Sequence, residues 1–492
     1  MKNHIKSYKL QLIKMAIVAI PLVTAVSSCK KDFLTAAPEL SLSDANDYES
    51  PARIEALVNG LYTSAKNGAL YGGRYQIYND IRAEEFINRT SNNVTGYNVY
   101  QGTTTSTDTY VNNFWTQGYL TINRVNIFLK GLDANQSVLT PALYANYSAE
   151  AKFIRALTYF GLVQIFAKPY VSDAGASRGL PLRLTAEQSS ANNELRSSSV
   201  AQIYAQILQD LNDAETGLPD TYGTALLRTT RAHKNTAIAL KTRVYLTMGN
   251  YAQVITEGNK IVPSVAPFTN TARTAHALQA NIASVFATPF TTSESIFSFP
   301  FADTNAPGTQ NQFGYYYNVG NLEFYLNQTG TGIYVDPIWP STDARKSALT
   351  ANYALSATNT VRILSKYSAT SPYLDYAPMI RYSEVLLNVA EAEALASGGN
   401  LVRSRALLDA VRKRSDASYN FGTLATGTEL AATILKERRI ELLGEGFRYN
   451  DLARKATPLP SFGAGSAIPV ADARYTFPIP LNEVNYNPAV NW

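Results

Sequence analysis

The block ERRIELLGEGFRYNDLAR, Glu437 to Arg454, holds the densest set of side chains able to do chemistry. Glu441 and Glu445 are four residues apart, which puts both carboxylates on one face of a helix. A retaining glycosidase needs two carboxyl groups roughly 5 Å apart. Around this pair, however, stand Glu437, Arg438, Arg439, Arg448, Asp451 and Arg454. Mixed charge at this density predicts a buried or half-buried ion-pair network that locks the C-terminal helix onto the fold, its charges retained because they are paired. Other catalytic sets are scarce. His4 lies in the leader, His233 in a basic RAHK turn, and His276 in a Thr/Ala-rich stretch with no partner at ligand spacing. No Ser-His-Asp arrangement, zinc set or phosphate-cradling glycine loop stands out. The expectation is a chain without catalytic activity, metal or cofactor.

Cys29 is the only cysteine among 492 residues. Four lysines (Lys2, Lys6, Lys9 and Lys14) precede a twelve-residue apolar run from Met15 to Val26. A membrane span needs about 20 residues, so residues 1–28 read as a secretory signal peptide. Val26-Ser27-Ser28-Cys29 resembles a bacterial lipobox, whose cysteine is acylated and becomes the new N-terminus. The thiol is then an attachment point, and two or more acyl chains make a stable anchor. Residues 29–50 read as a polar tether. No later segment has 18 apolar residues in a row. Removing the leader takes four lysines and no acid, leaving 39 basic against 38 acidic residues. A near-neutral chain without a basic stripe is a poor nucleic-acid binder.

Two kinds of territory must position whatever this chain binds. The first is helical, at about 114–262 and 377–455. AEAKFIRALTYFGLVQIFAKP (149–169) places apolar residues at helical spacing and stops before Pro169. SVAQIYAQILQDLNDAETGLP (199–219) does the same. KNTAIALKTRVYLTMGNYAQVITEGNKIV (234–262) and APMIRYSEVLLNVAEAEALASGGNLVRSRALLDAVRKRS (377–415) each read as helix, glycine turn, helix. Units of about 30 residues with this grammar are of the tetratricopeptide type and stack into an αα superhelix. The fold class expected is mostly α, TPR-like, with a loop-rich part containing a few short strands.

The second territory, about 67–112 and 263–360, is rich in Gly, Asn, Thr and aromatics and lacks helical period. In ESIFSFPF (294–301) the alternating phenylalanines suggest an edge strand. Long loops inside a compact chain are functional or disordered, and this aromatic content argues against disorder. Tyrosine is abundant, with 32 against 19 phenylalanines and 3 tryptophans, and a flat ring with a polar tip suits wet recognition surfaces.

In order along nearly the whole chain, FWTQGYLTINRVNIFL (114–129), AEAKFIRALTYFGLVQIFAKPY with its downstream GLPL, PMIRYSEVLLNVAEAEA, ILKERRIELLGEGFRYNDLAR and the closing FPIPLNEVNYNPAVNW resemble the SusD/RagB family. The resemblance implies an outer-membrane surface lipoprotein that captures nutrients, usually glycans, as the lid of a SusC-like TonB-dependent transporter. It also implies four TPR-like helix pairs beside an irregular part that carries the ligand site over residues 51–492, and no catalysis.

A sugar stacks its C–H face on an aromatic ring and needs paired donors and acceptors for its hydroxyls, so a binder presents Tyr or Trp beside Asn, Asp, Arg or Gln. YGGRYQIYNDIRAEEF (71–86) offers Tyr71, Tyr75, Tyr78, Asp80 and Arg82, the last two fitting an acidic/basic signature of the family or a structural salt bridge. TGYNVYQGTTT offers Tyr97, Asn98 and Tyr100. NQFGYYYNVGNLEFY offers Tyr315, Tyr316, Tyr317 and Asn318, of which at most two of the three tyrosines would face ligand if the segment is extended. IYVDPIW ends at Trp339. Trp115 and Tyr119, at helical spacing, read as core. Clustered rings favour a glycan; an oligopeptide, or a lid with little affinity of its own, is the alternative.

Overall fold

The structure, a computed structural model, describes residues 47–460 and 466–490. Cys29, the leader and most of the tether lie outside the described residues. The chain divides into a unit ending at Ile54 and a large unit from Glu55 onward, and the elements below belong to the second.

The large unit is built on a helical stack: α1 (Thr109–Ala134), α2 (Pro141–Phe166), α3 (Val200–Gly217), α4 (Lys234–Thr247), α5 (Tyr251–Gly258), α6 (Tyr382–Leu395), α7 (Leu401–Ser415) and α8 (Gly427–Glu441). Each helix packs on the next, so α5 meets α6 across a long insertion and the superhelix continues unbroken. Local chemistry sets the boundaries. Thr140 caps α2 and Pro141 occupies its first turn. Ser199 and Gln202 form a reciprocal capping box on α3, and Thr426 and Glu429 do so on α8. Between α4 and α5, Gly249 takes a left-handed φ of 71° and Asn250 caps the next helix. Trp115 is buried, 5.0 Å from Phe166 ring to ring, and Tyr119 packs against it at 4.8 Å. The mostly α, TPR-like architecture expected from the sequence is the one observed.

The intervening segments are less irregular than their composition suggests. Residues 67–112 contain a helix Arg74–Ile81, a strand Phe86–Asn88 and a short helix Tyr97–Gln101. All eight residues of Arg74–Ile81 are buried. A helix wrapped on every side has no polar stripe, so its sequence shows no period to read. The strands form antiparallel pairs: Phe86–Asn88 with Phe324–Leu326, Arg178–Pro181 with Ser197–Ser199, Ser295–Phe299 with Ala377–Arg381, and Thr350–Ala354 with Thr360–Leu364. Ser295–Phe299 is a strand, as its alternation suggests, but it is buried on both faces because Phe153 of α2 packs on Phe297 at 5.4 Å. Its pairing with Ala377–Arg381 ties an interior strand of the insertion to the insertion's last residues at the foot of α6.

The charged block folds as a network. Glu437 accepts from Arg345 at 2.6 Å and from Arg412 at 2.8 Å. Glu441 accepts from Arg345, Arg381 and Arg414 at 2.9, 2.8 and 2.6 Å. Glu445 accepts from Lys366 and Arg381 at 2.6 and 2.7 Å. Asp451 holds Arg438 and Arg454. All of these residues are buried except Arg414, which is half-buried with its side chain 4% exposed. Both Glu441 and Glu445 have their oxygens taken by cations, as an ion-pair network requires.

Candidate ligand-binding site

The two loop regions named in the sequence meet on one face. Their joint is built on Arg74, the first residue of the buried helix. Its Nε donates to Asn311 Oδ1 at 2.7 Å, and a terminal nitrogen donates to Tyr78 Oη and to the Val94 carbonyl, each at 2.9 Å. The same guanidinium lies 4.8 Å from the Tyr110 ring centre and 5.8 Å from that of Tyr316, within cation–π range. The contact is close because Gly73 lacks a side chain: a Cβ there would sit 1.8 Å from the Asn311 carbonyl oxygen. Pairing of Phe86↔Leu326 through Asn88↔Phe324 ties the same two regions a second time, and buried Glu323 accepts from the Thr95 hydroxyl at 2.7 Å.

Across this joint runs a chain of aromatic rings. Tyr97 meets Tyr100 at 6.4 Å, Tyr100 meets Phe324 at 5.8 Å, Phe324 lies nearly parallel to Tyr316 at 6.2 Å, and Tyr316 meets Tyr315 and Tyr315 meets Tyr373 at 6.2 Å each. The middle of this ladder is buried, while Tyr97, Tyr315 and Tyr373 are half-buried and reach the surface, as does Tyr110 beside Arg74. Amides hold two of the hydroxyls: Gln101 donates to Tyr97 Oη at 2.8 Å and Gln310 to Tyr315 Oη at 3.3 Å. Rings held against a buried backing, with amides at two of their tips, form a face suited to stacking and hydrogen bonding at once.

Several residues singled out in the sequence are placed elsewhere. Residues 313–317 form a short helix and not an extended strand, which turns Tyr316 and Tyr317 into the core and leaves Tyr315 at the surface. Tyr100 is buried as a middle rung. Tyr71, Tyr75 and Tyr78 are also buried. Asp80 and Arg82 do not pair with each other. Buried Asp80 accepts the backbone N–H of Gly446 at 2.8 Å and of Arg448 at 3.4 Å. Burial pushes its carboxyl up to about 8, against the pull of those two N–H groups. Arg82 lies 4.1 Å from the Tyr449 ring centre and 4.8 Å from that of Phe477, and donates to the Tyr475 carbonyl. Both are fasteners for the C-terminal segment. Trp339 is buried beneath Tyr334 and Lys346, apart from the ladder. Asn98 and Asn318 remain half-buried next to Tyr97 and Tyr315 in sequence, with Asn98 donating to Asp108 at 3.3 Å.

Arg74, Tyr110, Gln101, Gln310 and Tyr373 were not among the residues singled out. Ser371-Pro372-Tyr373 carries a turn signal that marks an exposed ring, but it lies past the stretch read as irregular. Among the described residues no group of three or more potential metal ligands comes together, and no helix is long and apolar enough to cross a membrane.

Comparison with known proteins bears directly on this arrangement. Residues 165–491 match the model of the SusD family, and residues 32–246 match a SusD-like model described as starch-binding and associating with the outer membrane. The chain belongs to the SusD family. It is 34% identical to a SusD superfamily protein of solved structure from Bacteroides fragilis, covering 91% of this chain and 100% of that one, with a TM-score of 0.81. It is 25% identical to SusD-like protein P2 of Formosa agariphila over 89% of this chain and 91% of the relative. A laminarin-binding SusD-like protein shares the fold, with a TM-score of 0.71 at 21% identity, over 89% of this chain and 98% of that one. SusD family proteins are carbohydrate-binding proteins associated with the outer membrane, and a tyrosine face at the seam of two loop regions fits a member of that family.

Proposed function

We propose that this SusD family member captures oligo- or polysaccharide at the cell surface and passes it to a SusC-like TonB-dependent transporter, without acting on it chemically. The observation that carries this reading is the set of half-buried rings Tyr97, Tyr110, Tyr315 and Tyr373 gathered at one seam and backed by buried rings. Tyr97, Asn98, Tyr315 and Asn318 stay as ligand contacts from the sequence, joined by Tyr110 and Tyr373. The laminarin-binding relative and the starch-binding description of the matched model support a glycan as the cargo. Lipidation at Cys29 would hold the protein to the outer membrane with no spanning helix.

Native electrophoresis through gels containing plant, fungal and algal polysaccharides tests the reading. Retardation by a polymer that is lost in Tyr315→Ala and Tyr373→Ala variants supports it. Unretarded migration in every gel points to an oligopeptide, or to cargo recognised only together with the transporter. Labelling cells with a palmitate analogue tests the anchor, since a Cys29→Ala variant takes up none if Cys29 is the acylated residue.

A further inference from the structure

A second opening lies away from the tyrosine face and shares no residue with it. It is a cavity of about 330 Å³ between the helix Ala225–Thr230, the turn at Arg273 and the segment Thr291–Ser295. Its wall contains two arginines, Arg228 and Arg273, a set of threonine and serine hydroxyls, and no carboxylate. The charge of Arg228 is uncompensated: its guanidinium donates to the Tyr222 carbonyl at 3.1 Å, and no carboxylate forms an ion pair with it among the described residues. Arg273 meets Asp220 only at 3.6 Å, and that carboxylate is 58% exposed and shared with Lys234 at 3.1 Å, an arrangement of little strength. Glu294, next in sequence to two lining serines, is held by Arg381 at 2.7 Å and Arg414 at 3.1 Å in the buried network. The floor is His276, stacked on His233 at 5.6 Å. Its Nδ1–H donates to the Ser293 carbonyl at 3.2 Å.

Guanidinium groups in a fork geometry together with hydroxyl donors are the usual means of holding a sulfate, phosphate or carboxylate. The buried arginines Arg345, Arg381 and Arg412 are consumed by carboxylates, whereas Arg228 and Arg273 face a cavity whose lining holds none. The volume is at the lower end of small-ligand pockets, enough for an anionic group and part of the residue that bears it. We propose that this cavity is an oxyanion site, reading a sulfate or carboxylate group carried on a sugar residue or free in solution.

Isothermal titration of the purified protein at fixed ionic strength, with sodium sulfate, galactose 6-sulfate, glucuronate and galactose in separate runs, tests this. The charged probes bind with one-to-one stoichiometry and galactose gives no heat at this site. Galactose 6-sulfate at least tenfold tighter than free sulfate identifies the anion as a sugar substituent, equal affinity identifies the anion alone, and preference for glucuronate selects the carboxylate. Arg228→Gln weakens binding at least tenfold, and Arg228→Lys, which keeps the charge but loses the fork, weakens it less. Arg273→Gln, a change on an exposed turn that leaves the fold intact, also weakens it. Absence of heat with every anion overturns the proposal, as does binding that is unchanged in Arg273→Gln and in a folded Arg228→Gln protein. The tyrosine-face variants leave these titrations unchanged, so failure here is separable from failure of the glycan reading.

Discussion

Arg381 and Glu441 face each other at 2.8 Å with their side chains 1% and 0% exposed. Arg381 also grips Glu294 and Glu445, and Glu441 is shared with Arg345 and Arg414. The pair joins the strand that closes the insertion to the last helix of the stack. Removing one partner of such a pair strands the other charge in the interior, at a cost of about 3–5 kcal/mol. Glu441→Gln and Arg381→Met are each expected to lower the unfolding free energy by that order, and the double variant by less than the sum. Urea unfolding followed by tryptophan fluorescence measures both; additive losses would show that the two groups are not coupled.

The same network dictates acid sensitivity. Burial pushes Glu441 upward, but Arg414, Arg381 and Arg345 overcome it and hold the carboxyl well below the usual range; Asp451 is held at about 2 by Arg438 and Arg454 against its own burial. A carboxyl with a lower pKa folded than unfolded contributes stability above its unfolded value, about 4, and loses it as the pH falls toward its folded value. Thermal midpoints are expected to drop steeply below about pH 4, and less steeply in Glu441→Gln. Parallel curves for the two proteins would count against this.

Asp80 works in the opposite direction. With its carboxyl raised to about 8 by burial, the folded protein carries a proton there that the unfolded chain releases near pH 4. Stability from this group therefore declines as pH rises from about 4 to about 8. Asp80→Asn keeps an oxygen to accept the Gly446 N–H and removes the titration, so its melting temperature is expected to exceed that of the parent at pH 8 and to approach it at pH 5. A constant difference across that range is the result that excludes this role.

Tyr315 and Tyr316 are neighbours with different work. Tyr315→Ala is expected to weaken glycan retention with little loss of stability, because its ring is half in water. Tyr316→Ala removes a fully buried ring and is expected to cost about 3–5 kcal/mol. Trp339→Ala should destabilise similarly while the folded fraction retains its affinity. Paired melting and affinity-gel measurements separate the three.

Gly73→Ala places a methyl group 1.8 Å from the Asn311 carbonyl, so the two loop regions must part. A loss of about 1–3 kcal/mol is expected from the forced shift, together with weaker glycan retention as the seam between Tyr97 and Tyr315 opens. Retention at the parental level in the folded variant would show that the two halves of the face act independently.

The stack was legible in the sequence because its helices carry glycine turns, caps and a helical period: 234–262 folds as read, with the turn at Gly249-Asn250 where expected, and 377–415 does so from Tyr382 on, its first five residues being a strand and not the start of the helix. The network was legible because charges at that density have few other ways to be buried. The site was legible in its regions and not in its residues. Which tyrosine faces water depends on whether Phe313–Tyr317 is a helix or a strand, and five residues are too few for a period to decide. Asp80 and Arg82 read as ligand contacts or as a salt bridge, and they are neither, because nothing local announces that Gly446 and Tyr475, hundreds of residues away, will close over them. Arg74 escaped notice for the same reason, its partners at 94, 110, 311 and 316 being joined only by the fold.

The longest break in the sequence of the stack lies between α5 and α6, where 123 residues intervene from Gly258 to Tyr382. A chain that emerges N-terminus first, in synthesis or in the export proposed above, delivers α1 to α5 long before α6 arrives. Until then the side of α5 that α6 covers, with Val254 buried in the finished fold, stands open to water, and contacts this distant in sequence form slowly. Emergence in this order therefore imposes a waiting interval with an exposed apolar seam, a state open to aggregation and the point at which a chaperone has the most to protect.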